Sequence, residues 1–327
     1  MDISPEASSA LFILNNFEHK KTLSTLETIR THTIWAQQGN NNQTLTKVLD
    51  QLLDSGLVSC TECVYSLTKQ GLAQVKKIMS EGFSAIMVAD EQSATSRKFC
   101  EQVFGIDLRQ FNSMSMTQFN KLMDVMNLCE NDHILDLGCG VGLISEYMSD
   151  ITGASVLGID FAADAIKLAQ ERTHKKRGRL SYQIMDMDEL SLPRKSFSSL
   201  ISIDALHFVN NLKRTIQLAQ ECLQENGQMG IFYSVTLSAG EPIANLEPEQ
   251  TPLAKALLEC ELNFKTWDFT NNERNVFEKV LRVAEELKQE YEAEEKLYLY
   301  EMAIADAKPM LDAVKNGGRR RYLYHIR

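Results

Sequence analysis

A run of three alternating glycines is the part of this sequence whose residue types and spacing best suit ligand binding. The glycines close the segment Asp136-Leu137-Gly138-Cys139-Gly140-Val141-Gly142, which begins as an apolar strand and leads into a predicted helix. Glycines at this spacing permit a tight turn and let the backbone approach a ligand closely. Pyrophosphate-binding loops have G-x-G-x-x-G instead. A carboxylate at Asp136 suits a ligand with an ammonium and a sulfonium group, and suits a pyrophosphate poorly.

A second acid follows about one strand-helix unit later, in the segment Gly158-Ile159-Asp160. An acid at the end of the second strand of such a unit can accept both hydroxyl groups of a ribose. The glycine loop and Asp160 together therefore predict a site for a ribose-containing ligand that carries positive charge.

Apolar strand-like segments and helical segments alternate around these residues. The pattern predicts strands at residues 133–137, 155–159, 180–185, 200–203 and 229–233, and helices at 143–149, 162–172 and 212–223. This alternation implies a mostly parallel sheet with helices on both faces, which is a doubly wound α/β fold. Two later strands, at 264–269 and 322–326, enclose a helical insertion at about 272–315. We therefore predict a seven-stranded sheet within a domain of residues 131–327.

The first 85 residues follow a different, mostly helical pattern. One predicted helix carries apolar residues on a single face and ends before Gly56; these residues are Leu45, Val48, Leu49, Leu52 and Leu53. Two apolar strips follow, and they predict a hairpin in which Cys60 and Cys63 face each other as free thiols. A further helix is predicted at 69–80. This order of elements resembles a winged helix, and residues 86–130 are expected to form a helical connector.

The glycine loop and the acids after it resemble the motifs of the class I, Rossmann-like methyltransferases, which bind S-adenosyl-L-methionine. Residues 136–142 match the first motif of that family, and Asp160 matches its ribose-binding acid. Asp186 matches the acid that bonds the adenine amino group, with Met187 as its backbone neighbour. We expect a cofactor site of ten residues: Asp136, Gly138, Cys139, Gly140, Gly142, Asp160, Phe161, Asp186, Met187 and Ile203.

The segment Asp204-Ala205-Leu206-His207-Phe208-Val209 is similar to the small-molecule branch of that class, which includes ubiquinone, sarcosine and phosphoethanolamine methyltransferases. The resemblance implies in-line transfer of a methyl group to N, O or C of a small acceptor. His207 is a candidate general base because its unperturbed pKa lies near neutrality, and a packing role is the alternative. Tyr233 is a candidate acceptor contact. No metal-ligand spacing surrounds Asp204, so we expect a metal-independent reaction.

Charge and composition limit the other functions. The chain has 327 residues and a formal net charge of −10, which disfavours nucleic acid as a partner. It has no apolar run of roughly 20 residues and no basic secretory segment at its start, so we expect no membrane contact and a cytoplasmic location. Two alternatives stay open: a winged-helix regulator that senses S-adenosylmethionine, and an RNA or protein methyltransferase. The absent Asn/Asp-Pro-Pro-Tyr motif counts against the RNA enzyme.

A cover over the acceptor is expected from the two added regions. Residues 1–85 resemble the dimerisation module of small-molecule O-methyltransferases, and residues 40–47 hold a single basic side chain, Lys47, which fits DNA readout poorly. The insertion has an apolar face that needs a partner surface, formed by Val276, Phe277, Val280 and Leu281. We expect residues 1–85 to provide that surface, from the same chain or from the second subunit of a homodimer.

Overall fold

The computed structural model describes residues 3–19, 23–31 and 42–327 of the chain. The chain divides into two compact units, Met1–Phe83 and Ser84–Arg327. No helix in the described ranges is both long enough and apolar enough to cross a membrane. The helix α4 (Lys69–Glu91) runs through the boundary between the units.

The first unit packs helices against a two-stranded antiparallel sheet. Its elements before α4 are α1 (Pro5–His19), α2 (Leu26–Thr31), α3 (Asn42–Asp54), β1 (Val58–Thr61) and β2 (Val64–Leu67). The predicted apolar face of α3 is buried at four positions and half-buried at Leu53. Asn40 and Asn41, the first two residues of the segment 40–47 that was judged against DNA readout, lie outside the described residues. The winged-helix assignment therefore stays a prediction.

The predicted facing of Cys60 and Cys63 across the hairpin is wrong. Cys60 pairs with Tyr65 in the register of β1 and β2. Cys63 lies in the turn itself, where it and Glu62 have φ values of 63° and 51°. A two-residue turn of this kind needs left-handed backbone at both central positions, so it removes Cys63 from the strand pairing. Both thiols are free and exposed.

The second unit contains a seven-stranded sheet, as predicted. Its strands are β3 (His133–Leu137), β4 (Ser155–Asp160), β5 (Leu180–Ile184), β6 (Phe197–Ile203), β7 (Leu223–Thr236), β8 (Phe264–Asp268) and β9 (Arg319–Ile326). Their order across the sheet is β5-β4-β3-β6-β7-β9-β8. All neighbours are parallel except β9, which is antiparallel to both β7 and β8. The strand order reverses between β3 and β6, and ligands bind at the carboxyl edge of such a switch point.

Helices cover both faces of this sheet, and each face has its own apolar core. The helices are α5 (Ala94–Phe104), α6 (Met116–Met126), α7 (Leu143–Thr152), α8 (Ala163–Arg172), α9 (Leu212–Cys222), α10 (Pro252–Glu259), α11 (Thr270–Ala293) and α12 (Leu297–Lys315). One core contains Leu135, Ile231 and Leu257, and the other contains Ile134, Ile201 and Phe232. Alternate residues of a strand thus serve opposite faces, which explains the continuous apolar runs in the sequence.

The last strand begins earlier than predicted. Pairing with β7 extends to Arg319 opposite Thr236, so three arginines at the start of β9 belong to the sheet. The polar character of residues 319–321 hid this extension, because the apolar pattern starts at Tyr322. Since β9 runs antiparallel to β7, these arginines lie at the same edge as the carboxyl ends of the parallel strands.

The helical insertion consists of α11 and α12, between β8 and β9. The apolar face of α11 is covered within its own unit. Val276 and Val280 belong to a core cluster with Cys100, Val103 and Phe104 of α5, at the helical connector. The helical connector therefore packs against this apolar face. The expectation that residues 1–85 also cover the acceptor stays a prediction.

Candidate functional site

The glycine loop follows β3 with all three glycines in left-handed backbone. Gly138, Gly140 and Gly142 have φ values of 78°, 54° and 72°. The amides of Gly138 and Cys139 both donate to the carbonyl of Ile159, at 2.9 and 3.0 Å, and so tie the loop to the end of β4. A Cβ atom on Gly138 would overlap Ala205, and one on Gly142 would overlap the ring of Tyr182. Glycine is therefore required at these two positions for space as well as for conformation.

Asp160 ends β4 directly beside this loop. Its Oδ2 accepts the amide of Gly140 at 2.9 Å, and its Oδ1 accepts the amide of Ala162 at 2.9 Å. Burial raises the pKa of Asp160, while these backbone donors act against the rise. Each carboxylate oxygen can accept more than one hydrogen bond, so both retain the capacity to bind a ligand hydroxyl.

Asp136 is buried in β3, two residues before the loop. Its Oδ2 accepts a hydrogen bond from the hydroxyl of Ser145, in the first turns of α7. Burial raises its pKa to about 7, although the Ser145 hydrogen bond lowers it. A buried carboxylate with so little compensation is available to a positively charged ligand group. Ser145 was not foreseen, because a serine two residues inside a helix carries no signal in the sequence.

Cys139, Phe161 and Ile203 complete the predicted residues around the loop. Cys139 is half-buried, with its Sγ 3.6 Å from the carbonyl of Gly140. Burial raises the pKa of its thiol well above the ordinary value, so the thiol stays protonated. Phe161 is half-buried directly after Asp160, and Ile203 is buried at the end of β6.

Asp186 and Met187 lie in a short turn after β5. The carboxylate of Asp186 accepts the amide of Asp188 at 2.9 Å and so caps this turn. Met187 is buried, and its Cε atom lies 3.9 Å from where a Cβ of Gly138 would stand. Asp188 accepts the backbone amide of Asn210 at 2.9 Å, which joins this turn to the segment after β6.

His207 and Tyr233 meet at the carboxyl ends of β6 and β7. Their rings stack with centroids 4.2 Å apart and planes 30° from parallel. Part of the His207 side chain is exposed to solvent, but the protein atoms packed around the ring remove much of its hydration. This desolvation lowers the pKa of His207 to about 4, although the negative charge of Asp204 acts to raise it. Burial raises the pKa of Tyr233 to about 12. At neutral pH both side chains are therefore uncharged.

Asp204 directly follows β6 and precedes His207 by three residues. The sequence pattern did not indicate its role. Its backbone is left-handed, with a φ of 56°. Its Oδ1 accepts Nη1 of Arg321 at 2.5 Å, and its Oδ2 accepts the amide of Ser113 at 3.2 Å. Burial acts to raise the pKa of Asp204, but the Arg321 charge and hydrogen bond outweigh it and hold the pKa below its usual range.

Arg321 and Glu273 form the buried part of the same edge. The side chains of both are fully buried. Glu273, at the start of α11, accepts the hydroxyls of Ser113 and Ser234 at 3.1 and 2.8 Å. It also receives two hydrogen bonds from Arg319, at 2.9 and 2.8 Å. The insertion therefore reaches this edge of the sheet through Glu273, and the guanidinium of Arg319 also lies over the ring of Phe277, 5.8 Å from its centroid.

The structure thus brings the predicted residues into two adjoining groups. Asp136, the glycine loop and Asp160 form one group, and Met187 contacts it at Gly138. His207 and Tyr233 form the other, and the residue next to Asp204 contacts Gly138. In the described part of the chain, the His, Cys, Asp and Glu side chains form no cluster of three or more that could hold a metal ion.

Comparison with known proteins agrees with this geometry. A family model described as a methyltransferase domain matches residues 134–227. The mitochondrial ubiquinone biosynthesis O-methyltransferase of Rattus norvegicus is 33% identical over 132 residues, which cover 36% of this chain and 37% of that protein. The corresponding protein of Pelagibacter ubique is 32% identical over 102 residues, covering 31% of this chain and 42% of its own length. The match spans about two fifths of each relative.

Solved structures extend the likeness over more of the chain. A protein from Galdieria sulphuraria described as a sarcosine dimethylglycine methyltransferase has a TM-score of 0.58 at 15% identity, covering 71% of this chain and 97% of its own. Phosphoethanolamine N-methyltransferase 2 of Haemonchus contortus has a TM-score of 0.59 at 16% identity, covering 75% and 59%. The fold is that of the class I methyltransferases. Within it, residues 134–227 match the model of a methyltransferase domain.

Proposed function

We propose that this protein is an S-adenosylmethionine-dependent methyltransferase that acts on a small-molecule acceptor. The observation that carries the proposal is the left-handed glycine loop at the switch point of the sheet, bonded to Asp160 through the amide of Gly140. The loop adjoins a second group of polar and aromatic side chains at the same edge. One group suits a nucleoside with a positive charge, and the other suits an acceptor held beside it.

The residues present fit this cofactor. Asp160 retains acceptor capacity for two ribose hydroxyls, and Asp136 offers a buried negative charge to an ammonium group. Around the hypothetical Cβ of Gly140, the nearest atoms belong to the side chain of Met87, with its Cε at 3.5 Å. Asp186 would accept the adenine amino group. When bound, the cofactor supplies an electrophilic methyl group.

The chain's own task is then to position the acceptor and exclude water. We assign acceptor contact to His207 and Tyr233, whose stacked rings lie beside the residue that contacts Gly138. His207 is unprotonated at neutral pH and can accept a hydrogen bond from the acceptor. Its low pKa makes it a weak base, which suits an acceptor that is itself readily deprotonated or that is an uncharged amine.

Transfer of labelled methyl groups tests the proposal. The full-length protein would be incubated with S-adenosylmethionine carrying a labelled methyl group and with separate panels of phenols, amines, carboxylic acids, bulk RNA and protein. We expect label in a small-molecule panel and no loss of transfer with a chelator, since no metal-ligand spacing surrounds Asp204 in the sequence. Transfer to RNA or protein alone would contradict the small-molecule assignment. Specific duplex DNA binding without any transfer would favour the cofactor-sensing regulator.

Three further expectations from the sequence remain proposals. Light scattering tests whether the protein is a homodimer, and cell fractionation tests a cytoplasmic location. A cover formed jointly by residues 1–85 and the insertion is tested by removing residues 1–68, which lie ahead of α4. Turnover should then fall while cofactor affinity is kept, and full turnover of the shortened chain would contradict a cover.

A further inference from the structure

Two arginines and two carboxylates lie together at the acceptor side of the site. We call Asp204, Glu273, Arg319 and Arg321, with Ser113 and Ser234, the acceptor-edge network. Its inner members are fully buried: the side chains of Arg321 and Glu273 have 0% exposure. Burying charges is costly, and apolar residues of similar size often give the same or greater stability. A fold that retains this network at a ligand-binding edge suggests a role in the site itself.

Arg321 occupies the centre of the network. Its Nε donates to Gln118 at 2.7 Å, and its Nη1 donates to Asp204 at 2.5 Å and to Ser234 at 3.0 Å. Its guanidinium also stacks over the ring of Phe232, 4.9 Å from the centroid. These contacts come from a helix, a loop and the strand β7, and they fix the guanidinium in one position.

The contact with Asp204 has consequences on both sides of that residue. Asp204 has a left-handed backbone, which a non-glycine residue adopts only at a cost. The next residue, Ala205, fills the space over Gly138, and His207 follows two positions later. Holding the Asp204 carboxylate therefore holds the turn that carries His207 against the glycine loop.

Glu273 secures the same region from the other side. The hydroxyl of Ser234, next to Tyr233, donates to Glu273 at 2.8 Å. Ser113, whose amide donates to Asp204, also donates its hydroxyl to Glu273 at 3.1 Å. Both rings of the His207–Tyr233 stack are thus joined to the network within a few residues.

We propose that Arg321 and Glu273 are positioning residues for the acceptor side, acting through Asp204 and Ser234 to place the His207–Tyr233 stack. The proposal rests on the proposed function, because it is the methyltransferase site that the stack would serve. The charged groups that face His207 are Asp204, Glu273, Arg319 and Arg321. Removing one of them changes the electrostatic surroundings of His207 as well as its position.

The test uses the full-length protein with its histidines labelled with carbon-13 at Cε1. The His207 signal is assigned by its loss in His207→Asn and followed by NMR from pH 8 to pH 3, a range that includes the wild-type pKa of about 4. Arg321→Met removes both the positive charge and the planar guanidinium with its N–H donors, whereas Arg321→Lys keeps the charge and loses the guanidinium. The matched control is Arg320→Met, on the same strand. Within the described ranges, the Arg320 side chain donates to the backbone carbonyls of Arg319 and Gly317, at 2.9 and 3.5 Å, and to no side chain of the network. Calorimetry with S-adenosylhomocysteine runs in parallel.

In Arg321→Met we expect the His207 signal to move and its pKa to rise by about one unit, because one of the positive charges facing it is gone. Arg321→Lys keeps the charge but loses the two-pronged guanidinium, so the His207 pKa should stay near its wild-type value while the His207 chemical shift is still displaced. Arg320→Met should match wild type in both. Affinity for S-adenosylhomocysteine should be the same in all folded variants. If Arg321→Met does not fold, a displaced His207 signal in Arg321→Lys, with its charge retained, supports positioning.

An unchanged His207 signal in folded Arg321→Met, or in Arg321→Lys when Met is not tolerated, would overturn the proposal. So would an equal disturbance of His207 and of S-adenosylhomocysteine affinity, because that pattern indicates a general structural role. Failure of the wild-type protein to bind S-adenosylhomocysteine would instead count against the proposed function. The two failures are distinguishable because the His207 titration needs no ligand.

Discussion

The cofactor side and the acceptor side of this site are built in different ways. The cofactor side is a continuous loop, residues 136–142, held by backbone amides of that loop to Ile159 and Asp160. The acceptor side is assembled from side chains far apart in the chain: Asp204 and Arg321 are separated by 117 residues, and Ser113 and Glu273 by 160. A backbone-built site tolerates few changes of residue type, whereas a side-chain network can be altered one contact at a time.

The largest expected effect is on the cofactor side, from Gly138→Ala. The new Cβ would overlap Ala205 in left-handed backbone, so we expect roughly 2–5 kcal/mol less unfolding free energy and no detectable cofactor binding. The control is Gly240→Ala, since Gly240 has a φ of 85° and nothing within 4 Å of its Cβ position. It should lose about 1–2 kcal/mol, from conformation alone. Urea unfolding and calorimetry measure both effects. Equal losses of unfolding free energy in the two variants would contradict the claim that Ala205 leaves no room for a Cβ atom at position 138.

A smaller effect is expected from Asp136→Asn. This variant tests whether the buried, ionised Asp136 carboxylate lowers the unfolding free energy of the protein. The folded pKa of Asp136 is about 7, above its ordinary value of 3.8. Its ionisation in the folded state is therefore disfavoured, and the unfolding free energy falls as pH rises from about 4 to 7. Asparagine does not ionise, so the unfolding free energy of the variant does not fall in this way. At pH 8 we expect it to be higher than that of the wild type by on the order of 2–4 kcal/mol. The variant should also bind the cofactor more weakly, because it lacks the negative charge.

Unfolding by urea across this pH range checks the sign. Asp124→Asn is the control, because the Asp124 side chain is 73% exposed. Its stability profile should follow that of the wild type. If Asp136→Asn were less stable than the wild type at pH 8, the ionised Asp136 carboxylate would stabilise the fold. That result would contradict the claim that its burial lowers the unfolding free energy.

The difference between the two sides also explains what the sequence could predict. The seven strands and their flanking helices were predicted because their apolar runs have the period and length of buried elements. The glycine loop was predicted because its chemistry lies within seven consecutive residues. The positions of Gly140 and Asp160 follow from that loop and the strand after it, and the amide of Gly140 donates to the Asp160 carboxylate.

The acceptor side could be predicted only in part. His207 and Tyr233 were found because each follows a predicted strand at the ligand-binding edge, but nothing in the pattern indicated that their rings stack. Asp204 was visible beside His207, yet its partner Arg321 lies in a strand whose start was hidden by three consecutive arginines. Glu273 looks like an ordinary acid in the first turn of a helix. Its burial depends on long-range packing, for which a single sequence carries no signal.

Titration of the full-length protein with S-adenosylhomocysteine in a calorimeter, for the wild type and for Asp160→Asn, tests the central claim most directly. Asparagine keeps the shape of the side chain but has one oxygen in place of two, so it cannot accept both backbone amides and both ribose hydroxyls. We expect one site per chain in the wild type. In Asp160→Asn, affinity should be about 10- to 150-fold lower, which corresponds to the loss of about 1.5–3 kcal/mol from a charge-assisted contact. Absence of binding by the folded wild-type protein, or equal affinity of the two proteins, would contradict the account.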